Sequence, residues 1–205
     1  MQRLKADLHV HCADDAVDLL KYSAEMLIDS AAKLNVNVLA ITGHESVTYS
    51  DRFATYARER GVLLVPAMEA LIEGKHVVIL NPDADQAAAR TFDEVRILGR
   101  RNAAFLAPHP YYPIRTSLGR ALIDNIDVFD AIECCALYFW GVNPNRKAER
   151  VAKRYGLPML GTTDSHSLPY QVNTFSWVEA EPTVDGIVQA IRDGRVQCVT
   201  RRYPT

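Results

Sequence analysis

The residues of this sequence that could carry chemistry are mostly histidines and carboxylates. His9 and His11 flank Val10 at the end of an apolar run near the start of the chain. In an extended strand, side chains two residues apart project to the same side, so both imidazoles can face one metal ion. A lone H-x-H pair is more often incidental than a metal site. The pair therefore indicates metal binding only if further donors join it.

Further donors of the same types lie at the ends of other apolar runs. These residues are His44, Glu69, His76, His109, Asp164 and His166. All of them follow a run except His76, which opens the run HVVIL. Taken alone, each of them is more often a hydrogen-bonded core residue or a helix cap than a metal ligand. Together they indicate a metal site only if the fold brings them close to one another.

Short runs rich in Val, Ile and Leu alternate with stretches of helical periodicity, as in βα units around a parallel sheet. The predicted strands span residues 4–10, 36–42, 62–68, 76–80, 103–108, 128–134 and 157–162. The clearest helix covers residues 24–34, where Ser23 can cap the N-terminus. An irregular segment at 169–173 precedes a terminal strand, helix and strand. Seven buried strands predict an α/β protein whose sheet closes, or nearly closes, into a barrel.

The carboxyl ends of the strands of a parallel barrel meet at one face, where the loops build the active site. We therefore expect the donors to converge there, with His76 fitting this geometry least well. Six histidines with a glutamate and at least one aspartate exceed the three or four ligands that one catalytic ion needs. Since ligands of these types suit zinc, manganese or iron, we expect two or three divalent ions.

Length and composition narrow the classes of protein. The chain has 205 residues, 48% hydrophobic and 23% charged, which predicts one globular domain of residues 1–205. The net charge of −2 offers no general positive field, so we expect no nucleic-acid partner. No apolar segment is long enough for a signal sequence or a membrane span, and the four cysteines form no C-x-x-C pair. We expect a cytoplasmic protein without disulfides or membrane contact, and its oligomeric state stays open.

Six short blocks resemble, in the same order, those of the PHP family, the polymerase and histidinol phosphatase domains. ADLHVHC resembles D-L-H-x-H, LAITGHES resembles I-T-D-H, PAMEA resembles G-x-E, HVVIL resembles H-V-L-G, APHPY resembles A-H-P, and GTTDSH resembles G-S-D-x-H. The resemblance covers almost the whole chain. It implies a distorted seven-stranded (β/α) barrel, similar to a TIM barrel, with a trinuclear metal site.

Carried over by position, the family pattern implies three ligand sets. They are His9, His11, Glu69 and Asp164 for the first ion, Glu69, His76 and His109 for the second, and His44, His166 and an early aspartate for the third. The family's aspartate after the second histidine corresponds to Ala16, and we choose Asp15 over Asp14 and Asp18. Gly43 stands where the family has an aspartate before the histidine, so a carboxylate that could orient a ligand is missing.

The resemblance also implies hydrolysis of a phosphate ester. Close divalent ions lower the pKa of a bound water, so that hydroxide exists at neutral pH, and they stabilise charge on phosphoryl and leaving oxygens. We predict a phosphoesterase that acts through a metal-activated hydroxide on a small phosphorylated metabolite or nucleotide. Asp164 is assigned first as a ligand and second as a catalytic group that could accept a proton from water.

Cationic and aromatic residues near the predicted site could bind the substrate. Arg115, in the loop after the fifth predicted strand, is the first candidate because a guanidinium matches two phosphate oxygens. Lys75 is a weaker candidate on the same argument. Tyr111 and Tyr112 could form a wall of the pocket, stack on a base or pack locally. The aromatic segment 136–140 could cover the barrel, line the substrate site or contact a subunit.

Three other functions share part of this pattern. A nuclease or phosphodiesterase would fit the family, and a basic strip in the structure would favour it. An amidohydrolase shares the H-x-H opening on a barrel, although the D-S-H ending fits a phosphoesterase better. A non-catalytic, metal-binding regulatory module would account for Gly43 and the displaced aspartate, but the other ligand positions hold competent residues.

Overall fold

The computed structural model describes residues 1–15, 17, 19–138 and 142–201, and within these ranges the chain forms two β-sheets and seven α-helices. The strands are β1 (Gln2–Val10), β2 (Val38–Ile41), β3 (Gly43–His44), β4 (Leu63–Leu64), β5 (Ala67–Ile72), β6 (Lys75–Leu80), β7 (Ala104–Ala107), β8 (Ala131–Cys135), β9 (Met159–Thr162), β10 (Thr174–Ala180) and β11 (Val196–Thr200). The helices are α1 (Ala24–Lys33), α2 (Asp51–Arg58), α3 (Ala84–Ala88), α4 (Phe92–Leu98), α5 (Ala121–Asp124), α6 (Asn145–Tyr155) and α7 (Val184–Arg192). A short 3-10 helix spans Ile126–Val128.

The mixed α/β class is confirmed, but the described strands form two sheets instead of one closed seven-stranded barrel. The first sheet has the order β11-β10-β1-β2-β4, and the second has the order β3-β5-β6-β7-β8-β9. The predicted strand 62–68 is divided between these sheets, and the chain directly after the predicted strand 36–42 also enters the other sheet. Pro66, which has no N–H to donate, separates β4 from β5, and Thr42 separates β2 from β3.

Strand β6 runs antiparallel to both of its neighbours, whereas the sequence pattern predicted a parallel sheet. A two-residue turn joins it to β5, with φ of 50° at Glu73 and 74° at Gly74. Positive φ at both central residues is typical of the type I′ turns of tight hairpins. The reversal brings the beginning of β6, with His76, to the edge of the sheet at which β5 and β7 end. His76 therefore joins the donors that follow other strands.

The pairing of β1 with β2 is irregular near the end of β1. The register changes between Asp7 and Val10. Leu8 and Val10 pack in different apolar clusters, although side chains two residues apart in a regular strand share one face. Bulges of this kind re-aim side chains, and the irregularity coincides with the placement of His9 beside the second sheet.

The two sheets meet where β9 approaches β1 and β10. The backbone N–H of Asp164 donates to the carbonyl of His9 (2.9 Å). Farther back on β9, the N–H of Gly161 donates to Ser176 Oγ (2.9 Å), and this hydroxyl donates to the carbonyl of Gly161 (3.1 Å). A Cβ at Gly161 would overlap the backbone of Phe175. Glycine is therefore required for this close approach.

Three apolar clusters support the sheets. One lies between the two sheets, below the donors, and is covered by α7; it contains Leu8, Ala67, Leu160 and Ile187. A second packs α4 and α6 against the second sheet. The third packs α1 and α2 against the first sheet. The same face of the strands thus carries apolar side chains at one end and polar donors at the other.

Two local predictions are confirmed. Helix α1 begins after Ser23, whose hydroxyl accepts the N–H of Met26. The chain ends, within its described part, in the expected strand, helix and strand, which are β10, α7 and β11. None of the described helices is both long and apolar enough to span a membrane.

Candidate metal centre

The side chains predicted as ligands converge at one end of the two sheets. His9, His44, Glu69 and His76 lie on β1, β3, β5 and β6, and His11, His109, Asp164 and His166 lie in the loops that follow β1, β7 and β9. The buried members are His9 and His11 (both 0% exposed), Glu69 (2%), His109 (3%) and Asp164 (9%). The structure thus brings together, from six strands of two sheets, the residue types that bind divalent cations.

Four donor atoms lie close to one another at the end of β1. His9 Nε2 and His11 Nε2 lie 3.1 Å apart. Each of them is 3.4 Å from Asp164 Oδ1 and 3.5 Å from Glu69 Oε2. Ligand atoms about 2.0–2.1 Å from a tetrahedral zinc ion would lie about 3.3–3.4 Å apart. The spacing of the His9, His11 and Asp164 atoms therefore fits a shared divalent ion, and Glu69 Oε2 lies beside both imidazoles.

Glu69 connects this group with the remaining histidines. Its Oε1 lies 2.7 Å from His76 Nδ1 and 3.1 Å from His109 Nε2, and its Oε2 lies 3.1 Å from His44 Nε2. His76 Nδ1 is buried and makes no hydrogen bond within the described part of the chain, despite this short distance. Its placement is that of a ligand atom facing a shared cation. The histidine and carboxylate clusters thus favour divalent metal binding.

The charges of these groups depend on one another. Burial disfavours ionisation of Glu69, but His9 and hydrogen bonds from His109 and His44 hold the pKa of Glu69 well below its ordinary value. Burial also opposes the charge of His44, whose pKa nevertheless rises to about 9 because Glu69 and Asp15 face it. The carboxylate of Glu69 is therefore held in the ionised form, which is the form that binds cations.

Asp164, like Glu69, is a buried carboxylate whose pKa is lowered by neighbouring histidines. Burial alone would raise its pKa, but the nearby His9, a hydrogen bond from His11 and the charge of His109 lower the pKa of Asp164 to about 2. Asp164 and His109 both adopt positive φ, 49° and 27°. This conformation costs a non-glycine residue roughly 1–2 kcal/mol. Backbone strain of this kind concentrates at functional sites.

The early aspartates are placed differently from one another. Asp15 Oδ2 accepts the backbone N–H of His44 (2.8 Å) and lies 2.8 Å from His44 Nδ1 and 3.4 Å from His11 Nδ1. Asp14 instead accepts the N–H of Ala24 at the start of α1 (3.0 Å). The remaining alternative, residue 18, lies outside the described residues. Asp15 is thus the described aspartate that reaches the histidines, and it contacts the nitrogen of His44 opposite the one that approaches Glu69.

The surroundings of Gly43 explain the missing aspartate at that position. A Cβ at Gly43 would overlap Thr48 Oγ1 and would lie 3.0 Å from the carbonyl oxygen of Ser46. A larger side chain therefore requires the turn after β3 to move. Asp15 supplies a carboxylate at His44 Nδ1, so His44 is still oriented by an acidic group.

Two buried carboxylates of the site, Asp7 and Glu133, were not predicted from the sequence. Asp7 accepts the N–H (3.0 Å) and the hydroxyl (2.6 Å) of Thr163 and the hydroxyl of Tyr170. Burial raises the pKa of Asp7 to about 6 despite these hydrogen bonds. Glu133 contacts the ring of His9. Both carboxylates interrupt apolar strand sequences, and this is the signal that could have identified them, because a buried charge is costly unless it is hydrogen-bonded.

The cationic candidates for substrate binding lie in and beside β6. Lys75 immediately precedes His76, and its Nζ donates to the backbone carbonyl of Arg115 (2.8 Å). Arg115 itself is exposed. The two residues therefore neighbour each other at the His76 side of the donors.

The aromatic candidates are separated by the structure. Tyr111 packs against the apolar cluster of the second sheet, and Lys147 Nζ lies 4.1 Å from the centre of its ring. The expected role of Tyr111 in a substrate pocket is not supported by this packing. Tyr112 instead lies beside the donors, with its ring 6.3 Å from that of His109. Of the segment 136–140, residues 139 and 140 lie outside the described residues.

Comparison with known proteins gives a family match and a relative. The family model described as PHP-associated matches residues 142–196, a range that contains Asp164 and His166. An uncharacterized protein of Methanocaldococcus jannaschii, MJ1587, is 28% identical in an alignment of 144 residues, which covers 62% of this chain and 82% of that protein.

Solved structures share the fold. PsfC of Pseudomonas syringae superposes with a TM-score of 0.69 at 19% identity, covering 98% of this chain and 93% of that one. A proposed metal-dependent phosphoesterase of Bifidobacterium adolescentis gives a TM-score of 0.62 at 14% identity, covering 79% and 87%. Endonuclease Q in complex with a 27-mer duplex carrying an abasic lesion gives 0.64 at 14% identity, covering 94% of this chain and 57% of that one.

These comparisons correct one expectation and support another. The prediction of no nucleic-acid partner, which relied on net charge, is wrong. Endonuclease Q has the same fold and acts on duplex DNA, so the net charge does not exclude a nucleic-acid substrate. Overall charge says little about a local contact surface. The family match over residues 142–196 and the shared fold agree with the resemblance to the PHP family that was read from the sequence blocks.

Proposed function

We propose that the protein is a metal-dependent phosphoesterase that hydrolyses the phosphate ester of a small metabolite or nucleotide. The arrangement of donors around Glu69 carries this proposal, since its two oxygens face five histidines at 2.7–3.5 Å. One carboxylate in this position can join two cations. The fold shared with a proposed metal-dependent phosphoesterase agrees with it.

The ligand sets are those that the family resemblance implies. Neighbouring donors in the structure form overlapping groups, which are His9, His11 and Asp164; His9, Glu69 and His109; and His11, His44 and Glu69. We assign His9, His11, Glu69 and Asp164 to one ion, Glu69, His76 and His109 to a second, and His44, His166 and Asp15 to a third. Zinc, manganese and iron all suit these nitrogen and oxygen donors. Two or three such ions, when bound, lower the pKa of a coordinated water and neutralise charge on phosphoryl oxygens.

The chain's own residues hold and surround the reacting groups. Asp164, ionised and in contact with His9 and His11, is assigned first to holding an ion and second to accepting a proton from the attacking water. Lys75 precedes His76 on β6, and its Nζ donates to the backbone carbonyl of Arg115. We assign the cationic side chains of both residues to the phosphate of the substrate. The exposed edge of the cluster is the side from which a phosphate ester can enter.

A second candidate function is nuclease activity. It is favoured by the match of 94% of this chain to endonuclease Q bound to DNA with an abasic lesion. Both candidate functions use the same ions and the same donors. They differ in whether the ester is a monoester of a small molecule or a diester within a nucleic-acid strand.

The two functions are distinguished by one set of assays on purified protein. Bound metal is quantified, and the protein is then supplied with manganese, zinc or iron and assayed on a generic phosphomonoester, a phosphodiester, an abasic-site DNA duplex and a carboxylic ester. Turnover of the monoester with two or three bound ions supports the proposal. Cleavage of the duplex alone favours the nuclease, turnover of the carboxylic ester alone favours an amidohydrolase-type enzyme, and absence of bound metal overturns all metal-dependent assignments.

A further inference from the structure

Glu133 occupies a position that the proposed ligand sets do not use. It lies on β8, on the same face as Ala131, which belongs to the apolar cluster between the sheets. Its side chain is 2% exposed. Glu133 therefore lies at the boundary between the apolar interior and the donors, where a carboxylate must be fully hydrogen-bonded.

Three groups from three different parts of the fold donate to this carboxylate. His9 Nδ1 lies 2.7 Å from Oε1, and the hydroxyl of Thr162 donates to the same oxygen. The backbone N–H of His109 donates to Oε2. These partners belong to β1, β9 and the loop after β7. One side chain on β8 thus connects three strand ends that supply metal donors.

The contact with Glu133 determines which nitrogen of His9 is available to a cation. An ionised carboxylate only accepts hydrogen bonds, so the proton of a neutral His9 ring lies on Nδ1. Nε2 then carries the lone pair, and it is Nε2 that lies 3.1–3.5 Å from the donor atoms of His11, Asp164 and Glu69. The opposite tautomer would point an N–H at the place of the ion.

The contact with His109 concerns the backbone. His109 has a φ of 27°, and its N–H is directed at Glu133 Oε2. Its Nε2 lies 3.1 Å from Glu69 Oε1. Glu133 therefore supports the strained conformation from which the second histidine reaches the cluster.

We propose that Glu133 is a positioning residue that sets the tautomer of His9 and the backbone conformation of His109, and thereby the affinity for the divalent ion between His9, His11, Glu69 and Asp164. The inference rests on the metal binding of the proposed function but is independent of the reaction. Mutation of a carboxylate that hydrogen-bonds a ligating histidine typically weakens metal affinity by roughly 10–100-fold.

Glu133→Gln tests this role with a minimal change of shape. If the amide oxygen faces His9 and Thr162, the amide NH2 faces the N–H of His109, and two donors oppose each other. If the amide is reversed, its NH2 faces His9 Nδ1 and favours the tautomer with the proton on Nε2. Either orientation disturbs one of the two histidines that Glu133 supports.

Asp130→Asn is a matched control. Asp130 is a buried carboxylate just before β8; it accepts the N–H of Phe105 (2.9 Å) and pairs with Arg100 Nε (2.5 Å). Like Glu133, it accepts one backbone N–H and contacts a side chain from another element, although Glu133 contacts two side chains; the partners of Asp130 are not metal donors. A general loosening of the second sheet would affect both variants, whereas loss of positioning would affect Glu133→Gln alone.

The experiment measures zinc affinity by competition with a chromophoric chelator, and the absorption spectrum of the cobalt-substituted protein. We expect affinity about 10–100-fold weaker and an altered cobalt spectrum for Glu133→Gln, with Asp130→Asn within about twofold of the wild type. Wild-type affinity and spectrum in Glu133→Gln would overturn the proposal, as would an equal loss in Asp130→Asn.

A measurement on the wild type keeps the proposal testable if Glu133→Gln does not fold. Nitrogen-15 NMR of the zinc-loaded protein identifies the tautomer of His9, and we expect the proton on Nδ1. A proton on Nε2 would overturn the role of Glu133. If the wild-type protein binds zinc but hydrolyses no phosphate ester, the proposed function fails while the role of Glu133 stands; if it binds no metal, both fail.

Discussion

The donor cluster has a closed side and an open side. The closed side consists of His9, His11 and His109, which are 0–3% exposed. The open side consists of His44, His76 and His166, whose side chains are 15%, 16% and 40% exposed. Both sides carry the same residue type, so the difference between them lies in how the fold supports them.

His9 on the closed side and His166 on the open side are held by partners at different distances along the chain. On the closed side, the His9 ring is hydrogen-bonded to Glu133, a residue of a buried strand in the other sheet. On the open side, the ring of His166 lies 3.0 Å from the carbonyl of Asp164, two residues away in the same loop. A centre of this kind can hold cations firmly at one side while substrate and water enter at the other.

The largest effect is expected from a closed-side ligand. His9→Ala removes one of four neighbouring, buried donors, so we expect loss of bound metal and a decrease in turnover greater than the roughly 100-fold typical of supporting groups. Metal analysis and phosphoesterase rates measure both, and Asp130→Asn is the control that should retain both. Unchanged metal content in His9→Ala would show that the closed side is not the binding side.

A larger side chain at Gly43, beside the open side, should lower the free energy of unfolding. Gly43→Asp would overlap Thr48, and overpacking of this kind costs about 1–3 kcal/mol of unfolding free energy. Urea unfolding measures this change. Adding Thr48→Ala, which removes the hydroxyl that is overlapped, should recover part of the loss. Wild-type stability of Gly43→Asp alone would show that the turn after β3 adapts easily.

A smaller effect is expected from an open-side histidine. Because His166 is the most exposed of these donors, His166→Ala should retain the closed-side ions and lower turnover about tenfold, corresponding to roughly 1.4 kcal/mol in the barrier. Metal stoichiometry and kcat provide the measurement. Loss of all metal from this variant would remove the distinction between the two sides.

The smallest effect is expected at the edge of the open side. Arg115→Ala should raise KM about threefold for a phosphate substrate, less than the tenfold that corresponds to about 1.4 kcal/mol, because an exposed guanidinium is screened by water. Metal content and kcat should be unchanged. Exposed Arg120→Ala, a loop arginine that pairs with Asp124, is the matched control. A tenfold loss of kcat would instead assign Arg115 to the chemical step.

Much of the cluster could be predicted because ligand chemistry is carried by residue type. Imidazoles and carboxylates at the ends of apolar runs are visible in one sequence, and His9, Glu69 and Asp164 do converge as expected. The supporting group Glu133 was harder to recognise, because it acts through a ring nitrogen of His9, which is 124 residues away in the sequence. Such pairs depend on strand register, which the sequence pattern does not specify.

The positions of the strands were also easier to predict than the way in which the strands pair. Apolar runs identified where strands form, but the break at Pro66 and the reversal of β6 changed how they associate. Both have signals in the sequence, a proline within a run and the Glu73–Gly74 pair between two runs. The neighbours Tyr111 and Tyr112 were not distinguishable, because which of them faces the core depends on the path of a loop.

The two-residue turn between β5 and β6 limits how this end of the molecule can vary in length. Side chains alternate between the faces of a strand, and His76 shares the inner face with Val78 and Leu80. One residue inserted at Glu73–Gly74 would shift β6 by one position against β5. His76 would then lie on the outer face of the sheet, and a neighbouring residue would take its place on the inner face. Loops at this end that carry no donor can lengthen without such a penalty. Diversity of substrate among proteins built this way is therefore expected to arise from those other loops, with the length of this hairpin held constant.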